Sequence, residues 1–176
     1  MRFVDFLRTT VLLSAAAATA LATITVLGAG SKPGESLLPI AVGWWVIAAL
    51  IGLRLGWHAQ TSPPIARLLA RAKTSTTLPE HHPSAVLLNR LWPLLVFTLL
   101  AGGLAFLAPQ IPGIAAGFAI IWALAWRRQD AAVTAIEERD GASFYVRRTS
   151  PVRPIALVRT PGFKAFRHER VNGAVT

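Results

Sequence analysis

The chain alternates between long apolar segments without charge and shorter segments that hold nearly all of its charged residues. The uncharged segments run from Thr9 to Ala29, from Leu37 to Leu53 and from Leu91 to Trp126. A membrane-spanning helix needs about 20 apolar residues, with about 17 as a lower limit, so the first two segments each suffice for one crossing. The third would form a helix about 54 Å long, which exceeds a hydrocarbon core of about 30 Å.

A turn is predicted within the third segment because Pro109, Pro112 and Gly113 lie close together there, a composition that breaks helices. The pattern therefore predicts four transmembrane helices, at about residues 9–28, 37–53, 91–108 and 111–126. Their starts are marked by prolines, which cost least in the first turn of a helix: Pro39, Pro93 and Pro112 for the second, third and fourth helices.

The first apolar segment raises the alternative of a secretory signal, since Arg2 and Arg8 precede it and Ala29 and Gly30 follow it. The apolar region of such a signal is about 7 to 15 residues long. Thr9 to Gly28 is longer and can cross the bilayer completely, which favours an uncleaved helix.

The predicted fold is an all-α integral membrane protein in four parts. Residues 1–56 form a first transmembrane hairpin, 57–90 a cytoplasmic loop, 91–128 a second transmembrane hairpin and 129–176 a basic cytoplasmic tail. Superposing the second helix on the fourth aligns Gly43 with Gly117 and Arg54 with Arg128, among other identical pairs. The two hairpins are then either a parallel repeat about an axis along the membrane normal or a coincidence between similar apolar compositions.

Charge predicts the orientation, because Lys and Arg near helix ends favour the cytoplasmic side. Of the 18 Lys and Arg residues, Lys32 alone falls in a predicted external loop. Both termini are therefore expected in the cytoplasm. Arginine and tryptophan residues at the cytoplasmic helix ends are expected to contact the lipid headgroups, and these are Arg54, Trp57, Arg90, Trp92, Trp126, Arg127 and Arg128.

The candidate chemistry is sparse. The chain has no cysteine, which excludes disulfides and thiolate metal sites. The predicted spans contain no Asp, Glu, Lys or His, whereas transporters commonly carry such a residue inside the bundle. Glu80, His81, His82 and His58 are the only conceivable metal ligands or catalytic groups, but adjacent histidines point apart, and solvated loop residues are the simpler interpretation. We expect no enzyme activity, cofactor or metal.

The predicted loop and tail contain further local signals. Residues 64–73 have the pattern of a short amphipathic helix, either on the inner leaflet or as a plain loop helix. Asp140 and Gly141 separate two β-favouring segments, 133–138 and 142–147, which predicts a β-hairpin followed by an extended basic segment.

A lone hairpin is only marginally stable, so the tail is expected to dock on its own central loop, on a second copy or on another protein. The residues expected to dock are Phe144, Tyr145, Arg147, Arg148 and Phe163. Tail cations are expected to contact anionic lipid. Nucleic acid is not expected, since the basic residues are dispersed and no known module is visible.

These features favour a non-catalytic accessory or scaffold subunit that presents its basic tail to a partner protein or to anionic lipid. The alternative is a small transporter or channel for an apolar or lipid-like molecule, formed at an oligomer interface. An enzyme acting on lipid, using the loop histidines and Glu80, comes third. The excess of Arg over Lys and the abundance of Ala are typical of a GC-rich bacterial genome, so the expected location is the bacterial inner membrane.

Overall fold

The computed structural model describes residues 1–30, 37–57, 63–74, 83–147 and 155–161. In these ranges the chain is mostly helical and carries a small three-stranded sheet. The elements, in chain order, are α1 (Phe3–Gly30), α2 (Leu37–Leu55), α3 (Pro63–Ala70), β1 (Lys73–Thr74), α4 (Pro83–Gly103), a 3₁₀ turn (Leu104–Phe106), α5 (Gln110–Trp126), α6 (Gln129–Asp140), β2 (Ala142–Arg147) and β3 (Ala156–Pro161).

Three helical segments within the described ranges are long and apolar enough to cross a membrane: Phe3–Gly30, Leu37–Leu55 and Ser84–Phe106. They coincide with the first three predicted spans, although α4 begins at Pro83 and not at Leu91. The fourth predicted span corresponds to α5, an apolar helix of 17 residues, and its crossing of the membrane remains a prediction.

The prediction that prolines mark helix starts is correct for two positions and wrong for the third. Pro39 and Pro112 lie in the first turns of α2 and α5. Pro93 lies inside α4, whose first residue is Pro83. The helix extends further because Val86 and Leu91 are buried against the rest of the protein, and this packing outweighs the backbone hydrogen bond that an internal proline removes.

Helix α5 lies between α1 and α2, and its direction follows from the contacts along it. Gly113 of α5 lies beside Thr25 of α1, while Pro109 lies beside Gly28, so α1 and α5 are antiparallel. Towards α2, Gly113 lies near Ala41 and residues 124–125 lie near Gly56, so α2 and α5 are parallel.

The main packing partners of α5 are therefore α1 and α2, whereas the sequence neighbours α1 and α2, and likewise α4 and α5, contact each other less. The grouping into two hairpin units and the repeat stay predictions.

Small residues permit this close packing. The buried side of α5 consists of small residues and a proline, namely Pro112, Gly113, Ala116, Gly117, Ala119 and Ala123. A methyl group added to Gly52 of α2 would lie 2.8 Å from the Leu124 Cβ and 3.1 Å from the Ile121 Cα. Because Gly52 has no side chain, the α2 backbone approaches the α5 backbone closely at Ile121 and Leu124, as is common between membrane helices.

The predicted β-hairpin at 133–147 is wrong in its first half. Residues 133–138 lie in helix α6, and Gly141 ends this helix in a left-handed conformation with φ of 60°. A glycine of this kind serves a helix C-terminus as well as a hairpin turn, so Asp-Gly did not distinguish the two. Burial of Gln129, Ala132, Val133 and Glu137 follows helical spacing and explains why the segment is a helix.

Strand β2 forms where the sequence predicts it, but its partner is β3. The two are antiparallel, with Tyr145 opposite Val158, and β1 is parallel to β3 on the other side. The sheet order is β1-β3-β2. Arg2 forms a further bridge to Tyr145, and the Val146 N–H donates a hydrogen bond to the Met1 carbonyl oxygen.

Candidate membrane-interface site

The two ends of the helical bundle differ in what surrounds them. We call the end where α1 begins the sheet end, because α3, α6 and the sheet pack there, and the end where Gly28 meets Pro109 the turn end. The sheet end is held by one hydrophobic core with contributions from α1, α3, α4, α6 and the sheet. Its buried members are Phe3, Val4, Phe6, Leu7, Ile65, Val86, Leu91, Val133, Phe144, Val146 and Leu157.

This core decides between the two interpretations of the amphipathic segment at residues 64–73. Ile65 of α3 is only 1% exposed, and Leu68 and Leu69 pack against the same core. The apolar side of α3 therefore contacts protein, as in the plain loop helix, and is not free to insert into lipid.

The core also shows what the tail docks on within the described residues. Strand β3 pairs with β1 of the central loop, and Leu157 packs in the same core as Ile65. The first of the three predicted docking partners, the chain's own central loop, is thus occupied by the tail.

Glu137 connects three segments of this region. Its Oε2 accepts a hydrogen bond from an Arg2 guanidinium nitrogen at 2.6 Å, and its Oε1 accepts one from the Phe144 N–H at 2.8 Å. The Glu137 side chain is 5% exposed, against 49% for Arg2. The hydrogen bond to Glu137 raises the pKa of Arg2 above its ordinary value, so the guanidinium keeps its charge at physiological pH, and the stability that this charge contributes is lost only as the pH rises through the raised pKa.

A second ion pair joins α1 to α6. Arg8 Nε donates to Asp130 Oδ2 at 3.2 Å, and both groups are at least partly exposed to solvent. Exposed pairs of this kind contribute about 0.2–1 kcal/mol. The pair also indicates how the two helices are placed, because it holds Arg8 of α1 beside the start of α6.

The seven residues predicted at the headgroup level all lie towards the sheet end. An Arg128 guanidinium nitrogen donates to the Trp57 carbonyl oxygen at 2.8 Å, which joins the C-terminal ends of α2 and α5. Arg54 and Trp57 are exposed, the latter by 67%, and Trp92 is about half exposed. Trp126 packs against the core, and Arg90 and Arg127 are partly buried.

The predicted docking residues of the tail are placed less uniformly. Phe144 is 2% exposed, so it belongs to the core and offers no surface to a partner. Its alternation with Ala142 and Val146 on the buried side of β2 explains this placement. Tyr145 is partly buried and Arg147 is exposed. Arg148 and Phe163 lie outside the described residues.

Two larger cavities open on the surface of the helices. One of about 770 Å³ lies between α1 and α4 towards the turn end, lined mainly by apolar and small residues such as Leu21, Ile24, Leu99 and Gly102. Another of about 710 Å³ lies beside the C-terminal end of α2, and its described lining is Leu50, Leu53, Arg54 and Trp57.

The candidate metal ligands Glu80, His81, His82 and His58 all lie outside the described residues. Among the residues that the structure does describe, no group of His, Asp and Glu could hold a metal ion.

Sequence reasoning missed Glu137 and Asp130 as partners of the N-terminal arginines. The signal was their spacing of seven residues, which places two carboxylates on one side of a helix. This spacing is informative only if residues 129–140 form a helix, and the sequence analysis predicted a hairpin strand in part of that segment.

The fold and this region together indicate the class of protein. The length and apolar composition of the three helices indicate a membrane protein, with a small α/β core at the sheet end. Comparisons with protein families, with curated proteins and with solved structures find no match to this chain.

Proposed function

We propose that this protein is a non-catalytic accessory or scaffold subunit of the bacterial inner membrane. Four helices, α1, α2, α4 and α5, cross the bilayer, and the sheet end lies in the cytoplasm. There it presents a folded, arginine-bearing surface to a partner protein.

One observation carries the membrane placement. In the part of the chain that is described, the large apolar side chains exposed by more than about a third all belong to the four long helices or the residues directly following them, from Leu12 of α1 to Trp122 of α5. None belongs to α3, α6 or the strands. An exposed apolar surface of this extent is expected to contact lipid.

The crossing of α5 is supported by its neighbours. Its 17 residues correspond to about 26 Å at 1.5 Å per residue, and it runs beside α1 and α2 over that length. Ile114, Phe118 and Trp122 are exposed along its outer side, at the spacing of a lipid-facing stripe.

The orientation is supported by charge. Every described Lys and Arg, from Arg2 to Arg159, lies in or beside the sheet end, and cytoplasmic segments are the ones that carry such an excess. The accessory role is supported by the structural use of the carboxylates Glu137, Asp130 and Asp140, each of which holds at least one arginine.

Crosslinking in native membranes tests the subunit role. A photoreactive residue at Arg147 or Glu138, both exposed at the sheet end, is compared with one at Phe97, which is 70% exposed on α4. We expect a discrete protein adduct from the first two positions and lipid adducts from Phe97. A monomer that purifies from mild detergent without any protein adduct at Arg147 and Glu138 would contradict the proposal.

Cysteine labelling tests the topology separately, since the natural chain contains no cysteine. Pro109→Cys should react with a membrane-impermeant maleimide in intact cells, and Arg147→Cys should react only after lysis. Reaction of both residues from the same side would mean that α5 does not cross.

The alternative function, a transporter for an apolar or lipid-like molecule, is favoured by the cavity of about 770 Å³ between α1 and α4. Gly103 lines it and has open space around it, so Gly103→Leu should fill the cavity without disturbing the bundle. In liposomes, the protein should then transport a fluorescent lipid analogue. Loss of this flux in Gly103→Leu, with flux intact in Gly43→Leu, would support the transporter over the accessory subunit.

A further inference from the structure

Three arginines at the C-terminal ends of α2 and α5 have no carboxylate partner in the part of the chain that the structure describes. The ion pairs among the described residues involve Arg2, Arg8, Arg139 and Arg159. Arg54, in the last turn of α2, and Arg127 and Arg128, directly after α5, take part in none of them. The bond from Arg128 to the Trp57 carbonyl brings these helix ends together, so the uncompensated charge is concentrated at one corner of the bundle.

The same corner adjoins the cavity of about 710 Å³ beside α2. Leu50 and Leu53 form its described apolar wall, and Arg54 and Trp57 line it nearer the helix end. Apolar and cationic groups thus follow one another along the helix axis. A volume of this size is within the usual range for small-molecule sites, about 300–1,000 Å³.

The charge of the corner indicates the ligand. Each helix C-terminus carries a partial charge of about −0.5, so two of them offset about one of the three arginines and leave about two positive charges. A ligand with an anionic head and an apolar tail would match both parts of the cavity, and the bilayer supplies such molecules at this depth.

We propose that this corner, formed by Arg54, Trp57, Arg127, Arg128 and the Leu50–Leu53 wall, is a specific binding site for an anionic phospholipid. A lipid with two phosphate groups, such as cardiolipin, fits the remaining charge better than one with a single phosphate. This proposal depends on the proposed function in one respect, namely that the sheet end lies at the headgroups of a bilayer.

Lipid retention by the purified full-length protein tests the site. The protein in neutral detergent is titrated with cardiolipin, phosphatidylglycerol or phosphatidylcholine, and bound lipid is measured by native mass spectrometry. We expect affinity to fall in that order. Because a cation near lipid headgroups contributes about 1 kcal/mol, or about fivefold in affinity, the Arg54→Gln/Arg128→Gln variant should bind cardiolipin about 30-fold more weakly.

The matched control is Arg67→Gln/Arg147→Gln, which removes two exposed arginines outside the corner and should leave cardiolipin binding unchanged. An equal loss in the control would overturn the proposal in favour of diffuse attraction. So would equal binding of phosphatidylcholine, or displacement of cardiolipin by inorganic phosphate, which would indicate a site for a soluble anion.

Two precautions keep the test decisive. If the double variant does not fold, Arg54→Gln alone removes an exposed side chain that has no ion pair with any described residue and should weaken binding about fivefold. The protein adduct expected from a photoreactive residue at Arg147 should persist in Arg54→Gln, so loss of lipid binding and failure of the subunit role are distinguishable.

Discussion

The contact between α2 and α5 predicts different effects for three glycine-to-alanine substitutions on one stretch of chain. Gly52 and Gly56 face the backbone of α5, whereas Gly43 has no atom near the position of an added methyl group. We expect Gly56→Ala and Gly52→Ala to separate the helices. Gly43→Ala is the matched control, since it adds the same methyl group to the same helix.

The magnitude follows from the distances. The added Cβ at Gly52 would lie 2.8 Å from the Leu124 Cβ and must move about 0.6 Å to reach ordinary contact at 3.4 Å. Overpacking of this kind costs about 1–3 kcal/mol, and about 1 kcal/mol is regained because alanine favours a helix interior over glycine. The net loss for Gly52→Ala is about 0–2 kcal/mol.

Gly56 should be affected more strongly. Its added methyl group would overlap the Leu124 carbonyl oxygen, which belongs to the backbone and cannot rotate away, and would lie 3.3 Å from the Ala125 Cα. Gly56 also follows the last residue of α2, so the helix-propensity gain is small. We expect a loss of about 2–3 kcal/mol, against no loss or a gain of up to about 1 kcal/mol for Gly43→Ala.

Reversible unfolding in mixed micelles measures these differences. Unfolding free energies are obtained by titrating a denaturing detergent and following tryptophan fluorescence. The expected order of stability is Gly43→Ala, then Gly52→Ala, then Gly56→Ala. If Gly56→Ala is as stable as Gly43→Ala, the close approach of α2 and α5 is refuted.

Further predictions concern the two ends of the bundle. Glu137→Ala leaves the buried Phe144 N–H without its acceptor and should destabilise the sheet end by about 1–3 kcal/mol, seen as faster amide exchange there. Glu137→Gln keeps an acceptor oxygen and should lose less; equal losses would contradict the double role of the carboxylate. Gly28→Cys/Pro109→Cys should form a disulfide, since the Cβ separation would be 3.9 Å, within the usual 3.5–4.5 Å. Gly30→Cys/Pro109→Cys should not, because no atom lies near a Cβ at Gly30.

The sequence was sufficient for the location of the three apolar helices that are long enough to cross a membrane, and the placement of residues at the headgroup level stays a prediction. Both depend on transfer of side chains from water, which composition and charge express directly. Arg128 and Trp57 were placed at one depth by this reasoning, and the structure joins them by a hydrogen bond.

The pairing of helices was not predictable in the same way. Packing between membrane helices depends on where small residues allow backbones to approach, and the apolar segments contain many such residues. Gly43 and Gly117 occupy equivalent positions when the second helix is superposed on the fourth. Gly117 lies against the Trp44 indole, whereas Gly43 contacts nothing within 4 Å. The difference arises from the rotation of each helix about its axis, which hydropathy does not determine.

Helix α6 was missed for a local reason. Its first residues and the Asp-Gly after it are compatible with either a helix end or a hairpin, and the choice is made by burial of Val133 and Glu137 against distant segments. Such long-range packing overrides local preference.

The bond between Arg2 and Glu137 joins residues 135 positions apart, and this has a consequence for biogenesis. During synthesis, α1 leaves the ribosome long before α6 and β2 exist, so the cover that Val133 and Phe144 give to the sheet-end core around Phe3 and Phe6 is added late. A chain that stops after α5 lacks this part of the cover. Synthesis of α6 and β2 therefore completes the burial of an apolar surface that would otherwise expose a shortened chain to proteases.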